Sequence, residues 1–449
     1  MFERLLQIWD NTSFYLNRQV YVIGLSAAAL FVLSYFVESF FTISILLLLA
    51  LFICVLVDSF LLYRGAHISG DRIIGDRLSN GDDNKVVLQL HSSYPFRISA
   101  NIIEELPFQL HNGGWERQVT IESGSTAFIE YSVHPKERGE YNFGNINVYV
   151  KGPLTLVSRR YIACSESVVK VYPSYIQMRR YHLMAMASNL QDSGVKRLRK
   201  LGHTMEFEQI KDYVRGDDYR TLNWKASARK GDLMVNQFTD ERSQQIYCII
   251  NKGRVMKMPF EEMTLMDYAI NASLVLSSVA LHKHDKAGLI CFSQKIDSFL
   301  AADKKPTQIN HILEELYKQQ TDFMEPDFEK LFSLVRNRIT HRSLLVLFTN
   351  FESFESLQRD LPSLKRLAHY HLLMVIFFDN TELKQLIYSK VSTIEDVYIK
   401  TIAEKYRHEK LLIAKELQKY GIISVVSTPQ ELSINALNKY LEVKNRQAL

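Results

Sequence analysis

Ser227 and Lys230 stand in an S-x-x-K spacing, which sets a hydroxyl beside an amine as a weak nucleophile and base. No SDN or KTG companion accompanies them, so coincidence explains the match better than catalysis does. His282 with His284, and His369 with His371, are each spaced by two. On a strand such a pair would share a face, but both fall at element boundaries. No cysteine or third histidine completes a zinc site, so solvated or capping histidines are expected. There is no GxxxxGK(S/T) loop, and Leu344–Phe348 runs into Thr349-Asn350 without the acid of an ATPase strand. The chain reads as a protein that is not an enzyme.

The Ser227–Lys230 pair lies inside the densest run of mixed charge, Gly202 to Phe238. Acids Glu206, Glu208, Asp212, Asp217, Asp218 and Asp232 balance bases Lys211, Arg215, Arg220, Lys225, Arg229 and Lys230 around one Trp224. Such a run cannot form a core alone. It is either a solvated segment or a network of charge-assisted hydrogen bonds, for which the planar fork of arginine is suited. In the second case Trp224 and Arg229 are expected to be buried. The charges are then paired mostly with one another, and the run locks the carboxyl-terminal domain to the rest.

Elements must position these residues, and the chain has room for several domains: 449 residues, 47% apolar, net charge +5. The cations are spread rather than gathered in a strip, which argues against nucleic acid as partner. Cys54, Cys164, Cys248 and Cys291 lie far apart with no CxxC pair, which suits a reducing compartment.

Residues 2–15 place Phe2, Leu5, Leu6 and Trp9 at helical spacing, as a short interfacial helix or a frayed terminus would. Val20 to Val37 and Phe40 to Val57 are uncharged, each about 27 Å long as a helix, and Glu38-Ser39 divides them. Two transmembrane helices with a very short turn are expected, anchoring the chain through residues 20–63. Arg4 and Arg18 precede them, Arg64, Arg72 and Arg77 follow, and the turn carries no cation. The positive-inside rule then puts both ends in the cytoplasm. Asp58 is expected to reach for the interface.

Residues 65–172 change character. Lys85–Leu90, Phe96–Ile102, Gln118–Ile121, Ala127–Val133 and Ile146–Val150 are short β-rich segments between turn signals, as in a small antiparallel β-sandwich. Residues 173–240 form a partly helical connector containing the charged run. Its basic cluster Lys196, Arg197, Arg199 and Lys200 is a solvated face or a contact for anionic lipid or an acidic partner. Residues 241–449 alternate strand and helix, the pattern of a doubly wound, mainly parallel α/β sheet. Its last helix is expected from Pro429 to Glu442, capped by Thr428. In such sheets ligands gather at the carboxyl ends of strands. Here those ends read Asn251-Lys252-Gly253-Arg254, Thr349-Asn350 and Asp379-Asn380, with Thr321 in a nearby connection.

Gly216-Asp217, Arg220, Trp224 and Ala228-Arg229, with the preceding Glu206-Phe207, resemble the signature of the bacterial "domain of unknown function 58" family. The two amino-terminal apolar helices and a β-domain turn like Pro135–Tyr141 are also similar to that family. The resemblance implies a von Willebrand factor A-like carboxyl-terminal domain. It implies partners too: a MoxR-type AAA+ ATPase and other A-domain proteins, in an envelope-related process at the bacterial inner membrane. Metal-binding A domains use a D-x-S-x-S loop, a threonine and a later aspartate. The matching positions here are Asn251, Thr321 and Asn350. Two amides and a hydroxyl are poor ligands for magnesium, and Arg254 would repel it if it pointed inward. No cofactor is therefore expected, and an adhesion-type divalent-metal binder is the alternative.

Overall fold

A computed structural model describes residues 13–64, 66–110, 114–186, 206–214, 217, 219–239, 243–260, 263–321, 324–379, 387 and 393–446. The basic cluster 196–200, the segment 2–12 and Gly216 lie outside them. The chain divides into two compact units, Met1–Val171 and Tyr172–Leu449.

In the first unit a short strand β1 (Phe14–Leu16) runs into helix α1 (Arg18–Leu33), and a brief turn leads to helix α2 (Ser39–Tyr63). Helix α2 has 25 residues, and its most apolar 18-residue window has mean hydropathy 3.1 and is 6% buried. Among the described residues it is the one helix long and apolar enough to cross a membrane. The first segment differs from expectation: α1 has 16 residues and ends at Leu33, short of Val37. The second continues through Asp58 to Tyr63 as expected, with Asp58 and Leu62 buried.

Strands β2 (Ile68–Ile73), β3 (Arg77–Ser79), β4 (Asn84–Ser92), β5 (Ile98–Glu104), β6 (Trp115–Ile121), β7 (Thr126–Val133), β8 (Gly139–Phe143), β9 (Ile146–Lys151), β10 (Val157–Cys164) and β11 (Ser167–Tyr172) follow. They form sheets ordered β1-β10-β9-β5-β6, β3-β11-β8 and β2-β4-β7, the first and last antiparallel throughout. Alternation along β4 turns Val86, Leu88 and Leu90 inward, where they meet Ile98, Ala100 and Ile102 of β5 and Val148 and Val150 of β9 in one core. All five expected segments fall on strands, although Phe96 and Arg97 precede β5. The others were less legible because polar residues interrupt them. Arg72 in β2, for example, is buried against Glu104 at 2.8 Å with both side chains almost inaccessible.

The second unit opens with α3 (Tyr175–Met186), then strand β12 (Glu206–Asp212), helix α4 (Trp224–Lys230) and strand β13 (Met234–Thr239). Beyond them lie β14 (Gln245–Asn251), α5 (Leu265–His282), β15 (Lys286–Phe292), β16 (Ile296–Asp303), α6 (Gln308–Lys318), α7 (Phe328–Arg338), β17 (Leu344–Phe348), α8 (Phe354–Tyr370), β18 (Leu372–Phe378), α9 (Ile394–Lys419), β19 (Ile423–Ser427) and α10 (Leu432–Asn445). The sheet order is β16-β15-β14-β17-β18-β19. All neighbours are parallel except the edge strand β16, which pairs antiparallel with β15. Alternate residues of β14 serve opposite faces. Ile246, Cys248 and Ile250 pack with α5, α6 and α10, while Tyr247 and Ile249 pack with α7, α8 and α9. Burial on both faces is why these strands read as unbroken apolar runs.

The expected cap of the last helix is corrected. Helix α10 begins at Leu432 after Glu431, without a side-chain cap, and Thr428 instead contacts the Glu431 carboxylate at 3.3 Å. Tyr440 on this helix donates to Asp285 at 2.6 Å, and Lys444 to the same oxygen at 2.8 Å, which seats the helix by side chains rather than by its cap.

Candidate functional site

The described part of the charged run is built on a strand pair. Strands β12 and β13 pair antiparallel from Glu206 opposite Thr239 to Asp212 opposite Met234. Between them the chain makes an excursion that closes on itself. Asn223 caps α4, its Oδ1 accepting from the Ala226 amide at 3.0 Å and its Nδ2 donating to Asn236 Oδ1 at 2.7 Å. The Ser227 hydroxyl donates to the Asn223 carbonyl and accepts from the Met234 amide, both at 2.9 Å. Gly231, at φ 82°, ends the helix in the left-handed region. Asp217 accepts from the Val214 amide at 3.0 Å and from Lys211 Nζ at 2.9 Å. These two donors, the amide first, hold its carboxyl below the ordinary value.

Two consequences follow for the residues singled out in sequence. Ser227 is engaged in bracing the helix, and Lys230 pairs with Asp212, so the S-x-x-K spacing places neither group on the other. The burial expected for Trp224 and Arg229 is not found: Trp224 is 70% exposed, and Arg229 is exposed. Asn223 and Ser227 brace α4 from within the excursion and Val235 is the buried apolar residue of β13, so neither side chain is needed in a core. Glu206 and Phe207 open β12, Asp217 braces the excursion, and Arg220 lies exposed beside the Tyr219 ring at 5.8 Å. Ala228 shares the exposed α4 surface.

The histidines are placed differently again. The His282 ring meets His182 at 5.0 Å, and burial, then the neighbouring His182, holds its pKa below the ordinary value. His371 is the buried residue that ends α8.

A cleft of about 300 Å³ opens at the carboxyl edge of the central sheet, where the chain leaves β14 on one side and β17 on the other. This is the switch point at which doubly wound sheets place ligands. Asn251 and Asn350 both line it. Asn251 is fully buried. Its Oδ1 accepts from the Gly253 amide at 2.8 Å and its Nδ2 donates to the Thr349 hydroxyl at 2.9 Å. Asn350 Oδ1 accepts from Lys410 Nζ at 2.6 Å, and the Phe351 carbonyl accepts from the same ammonium at 2.5 Å. Burial pulls the Lys410 amine down to about 8, although Asp379, Glu352 and Glu409 act in the other direction. Thr321 does not join these two amides; it donates to Met266 Sδ at 3.0 Å. Among the described residues no group of three His, Cys, Asp or Glu side chains is placed to hold a metal ion.

The mouth of the cleft is charged. Arg254 lies 3.4 Å from Glu325 and 3.9 Å from Glu352, and Arg359 lies 3.1 Å from Glu325. Arg359 also reaches Asp360 at 3.3 Å, yet burial raises the Asp360 carboxyl. Arg254 is thus a rim residue held by acids, not an inward-pointing charge. Lys410, Arg359 and Asp360 carried no signal in the sequence. They belong to long helices whose polar residues look alike until packing selects the few that meet the sheet edge.

Residues 209–405 match a family model described as "Protein of unknown function DUF58". A relative, "Uncharacterized protein YeaD" of Bacillus subtilis (strain 168), is 24% identical over 258 residues, covering 56% of this chain and 62% of the relative. The chain thus spans less than two thirds of that relative's length. Among solved structures, the CARDB domain of the PF1109 protein from Pyrococcus furiosus overlaps 24% of this chain and 88% of its own, with 11% identity and TM-score 0.19. Proximal thread matrix protein 1 from the mussel byssus overlaps 44% of this chain and 47% of its own, with 10% identity and TM-score 0.25. Neither overlap assigns a fold.

Proposed function

For a chain whose residues 209–405 belong to the family described as Protein of unknown function DUF58, we propose an interaction function. It is a membrane-anchored scaffold, without a reaction of its own, that holds a protein partner at the bacterial inner membrane. The anchor is a two-pass hairpin over residues 20–63, both soluble units lie in the cytoplasm, and the carboxyl-terminal unit is a von Willebrand factor A-like module. Helix α2 supports the anchor, and the absence of lysine and arginine between Leu33 and Ser39 supports the orientation. The parallel sheet with its single antiparallel edge strand supports an A-like module.

The observation that carries the reading is Trp224. A tryptophan 70% exposed on a helix ordered by its own hydrogen bonds gains little from the fold that holds it. Tryptophan and arginine are the residues on which protein interfaces concentrate binding energy. Lys225 and Arg229 are exposed on the same helix, so the surface suits an acidic partner face. The family resemblance suggests a MoxR-type AAA+ ATPase, together with other A-domain proteins, in an envelope-related process. Cross-linking in native membranes, followed by detergent purification, tests this. Recovery of such an ATPase or A-domain protein with the native chain, and its loss with Trp224→Ala and Arg229→Glu, is expected. Recovery of neither from the native chain would sink the proposal.

A further inference from the structure

The base of the helical hairpin is built into the β-sheets of the first unit. Asp58 is fully buried. Its Oδ1 accepts from the Leu154 amide at 3.0 Å, and its Oδ2 from the Leu156 and Val157 amides, each at 3.0 Å. Four residues on, Leu62 is fully buried in the β core, and its carbonyl accepts from the Tyr94 hydroxyl at 2.9 Å and from Arg159 at 3.1 Å. The start of α1 is tied to the same turn. The Asn17 amide donates to the Leu156 carbonyl at 2.9 Å, its side chain donates to the Thr155 carbonyl at 2.7 Å, and the Thr155 hydroxyl donates to Gln19 at 2.6 Å. The turn from Gly152 to Val157 therefore clamps both helices where they meet the sheets.

This clamp fixes the level of the sheets relative to the apolar helices. From Ser39 to Val57 the helix rises about 28 Å, close to the ~30 Å of a bilayer's hydrocarbon core. The uncharged run stops at Asp58, whose carboxylate is one hydrogen bond from Leu154. Leu154 is 46% exposed, and Leu16, which pairs with Val157 at the end of β1, is 37% exposed. Arg18 and Arg64, at the hairpin's two ends, are exposed as well.

We propose that Leu154 and Leu16 form a collar that enters the boundary between headgroups and acyl chains, with Arg18 and Arg64 set against anionic headgroups. The occupant of this surface is lipid. The apolar helix continues directly into the collar, so lifting Leu154 clear of the bilayer would draw Leu56 and Val57 into water. The collar rests on the membrane reading of α2. It adds that the first unit lies on the bilayer rather than standing off it. Phe14, about 7 Å further along β1, marks its outer limit.

The test uses the full chain in vesicles of phosphatidylcholine and phosphatidylglycerol, with Trp9, Trp115 and Trp224 replaced by phenylalanine. Single tryptophans are introduced as Leu154→Trp, Leu16→Trp, Leu49→Trp within α2, and Phe128→Trp on the exposed face of β7. Lipids brominated near the headgroup end of the acyl chain are expected to quench the collar positions several-fold more than Phe128→Trp. Lipids brominated near the methyl end should quench Leu49→Trp most. If Leu49→Trp is quenched while Leu154→Trp and Leu16→Trp behave like Phe128→Trp, the collar is wrong and the span stands. If Leu49→Trp is not quenched either, the membrane reading fails with it. Leu16→Trp reads the collar independently should Leu154→Trp fail to fold.

Discussion

Asn251 donates its side-chain amide to the hydroxyl of Thr349 at 2.9 Å, joining the carboxyl ends of the two central strands. Both residues are buried, and the remaining Asn251 oxygen accepts from the Gly253 amide. At this position the sheet edge offers neutral hydrogen-bonding groups in place of the carboxylates that a divalent cation prefers. Millimolar magnesium or manganese is expected to give no heat in calorimetry and no shift in melting temperature. Asn251→Ala is expected to cost about 1–3 kcal/mol in denaturant unfolding, because it strands a buried amide and a buried hydroxyl. A clear metal-dependent stabilisation would revive the adhesion-type alternative.

At the hairpin base, Gly152 leaves no room beside Asp58. A Cβ at Gly152 would lie 2.2 Å from Asp58 Oδ1. Gly152→Ala should therefore cost about 1–3 kcal/mol through overpacking. Asp58→Ala should cost about 3 kcal/mol or more, since it orphans three amides, two of them in buried bonds. Thermal unfolding in detergent measures both. Asp58→Ala melting like the native chain would show that the turn holds without its carboxylate.

Trp224 and Ser227 are three residues apart and are expected to behave oppositely. Trp224→Ala removes a side chain that is 70% exposed and should change stability by no more than about 0.5 kcal/mol. Ser227→Ala leaves the Met234 amide without its acceptor and should cost about 1–2 kcal/mol. Partner capture should show the reverse order, with Trp224→Ala the more damaging. A large loss of stability in Trp224→Ala would restore a packing role.

Lys410 sets a pH dependence with a definite sign. Its amine titrates at about 8 in the fold against 10.5 for an ordinary lysine. Between those values the unfolded chain binds the proton more than the folded one does, so stability should rise with pH above about 8. Buried tyrosines work against this near pH 10. Burial raises Tyr247 and Tyr161, so the unfolded chain ionises first and stability then falls. The native chain should pass through a maximum between these limits, and Lys410→Met should lose the rising limb. Melting temperatures across pH 7 to about 11 would reveal it, and identical profiles would remove Lys410 from the account.

The amino-acid order alone carried the element types of the carboxyl-terminal unit. Strands such as Leu344–Phe348 are apolar on both faces, and helices such as Gln308–Lys318 keep an apolar stripe. Both patterns survive in one dimension because burial is continuous along the strand and recurs at the helical period along the helix. The apolar composition of α2, the one described helix long and apolar enough to cross a membrane, was legible as well, and the family signature through its spacing. Tertiary structure alone decided what single polar residues do. Asp58 looked like an acid seeking the interface and is the clamp for three amides. Trp224 looked like the anchor of a charge network and faces solvent. Lys410, one cation among many on a long helix, meets Asn350 at the sheet edge. A hydrogen bond is set by distance and direction between segments far apart in sequence, and for these residues no local pattern encodes that meeting.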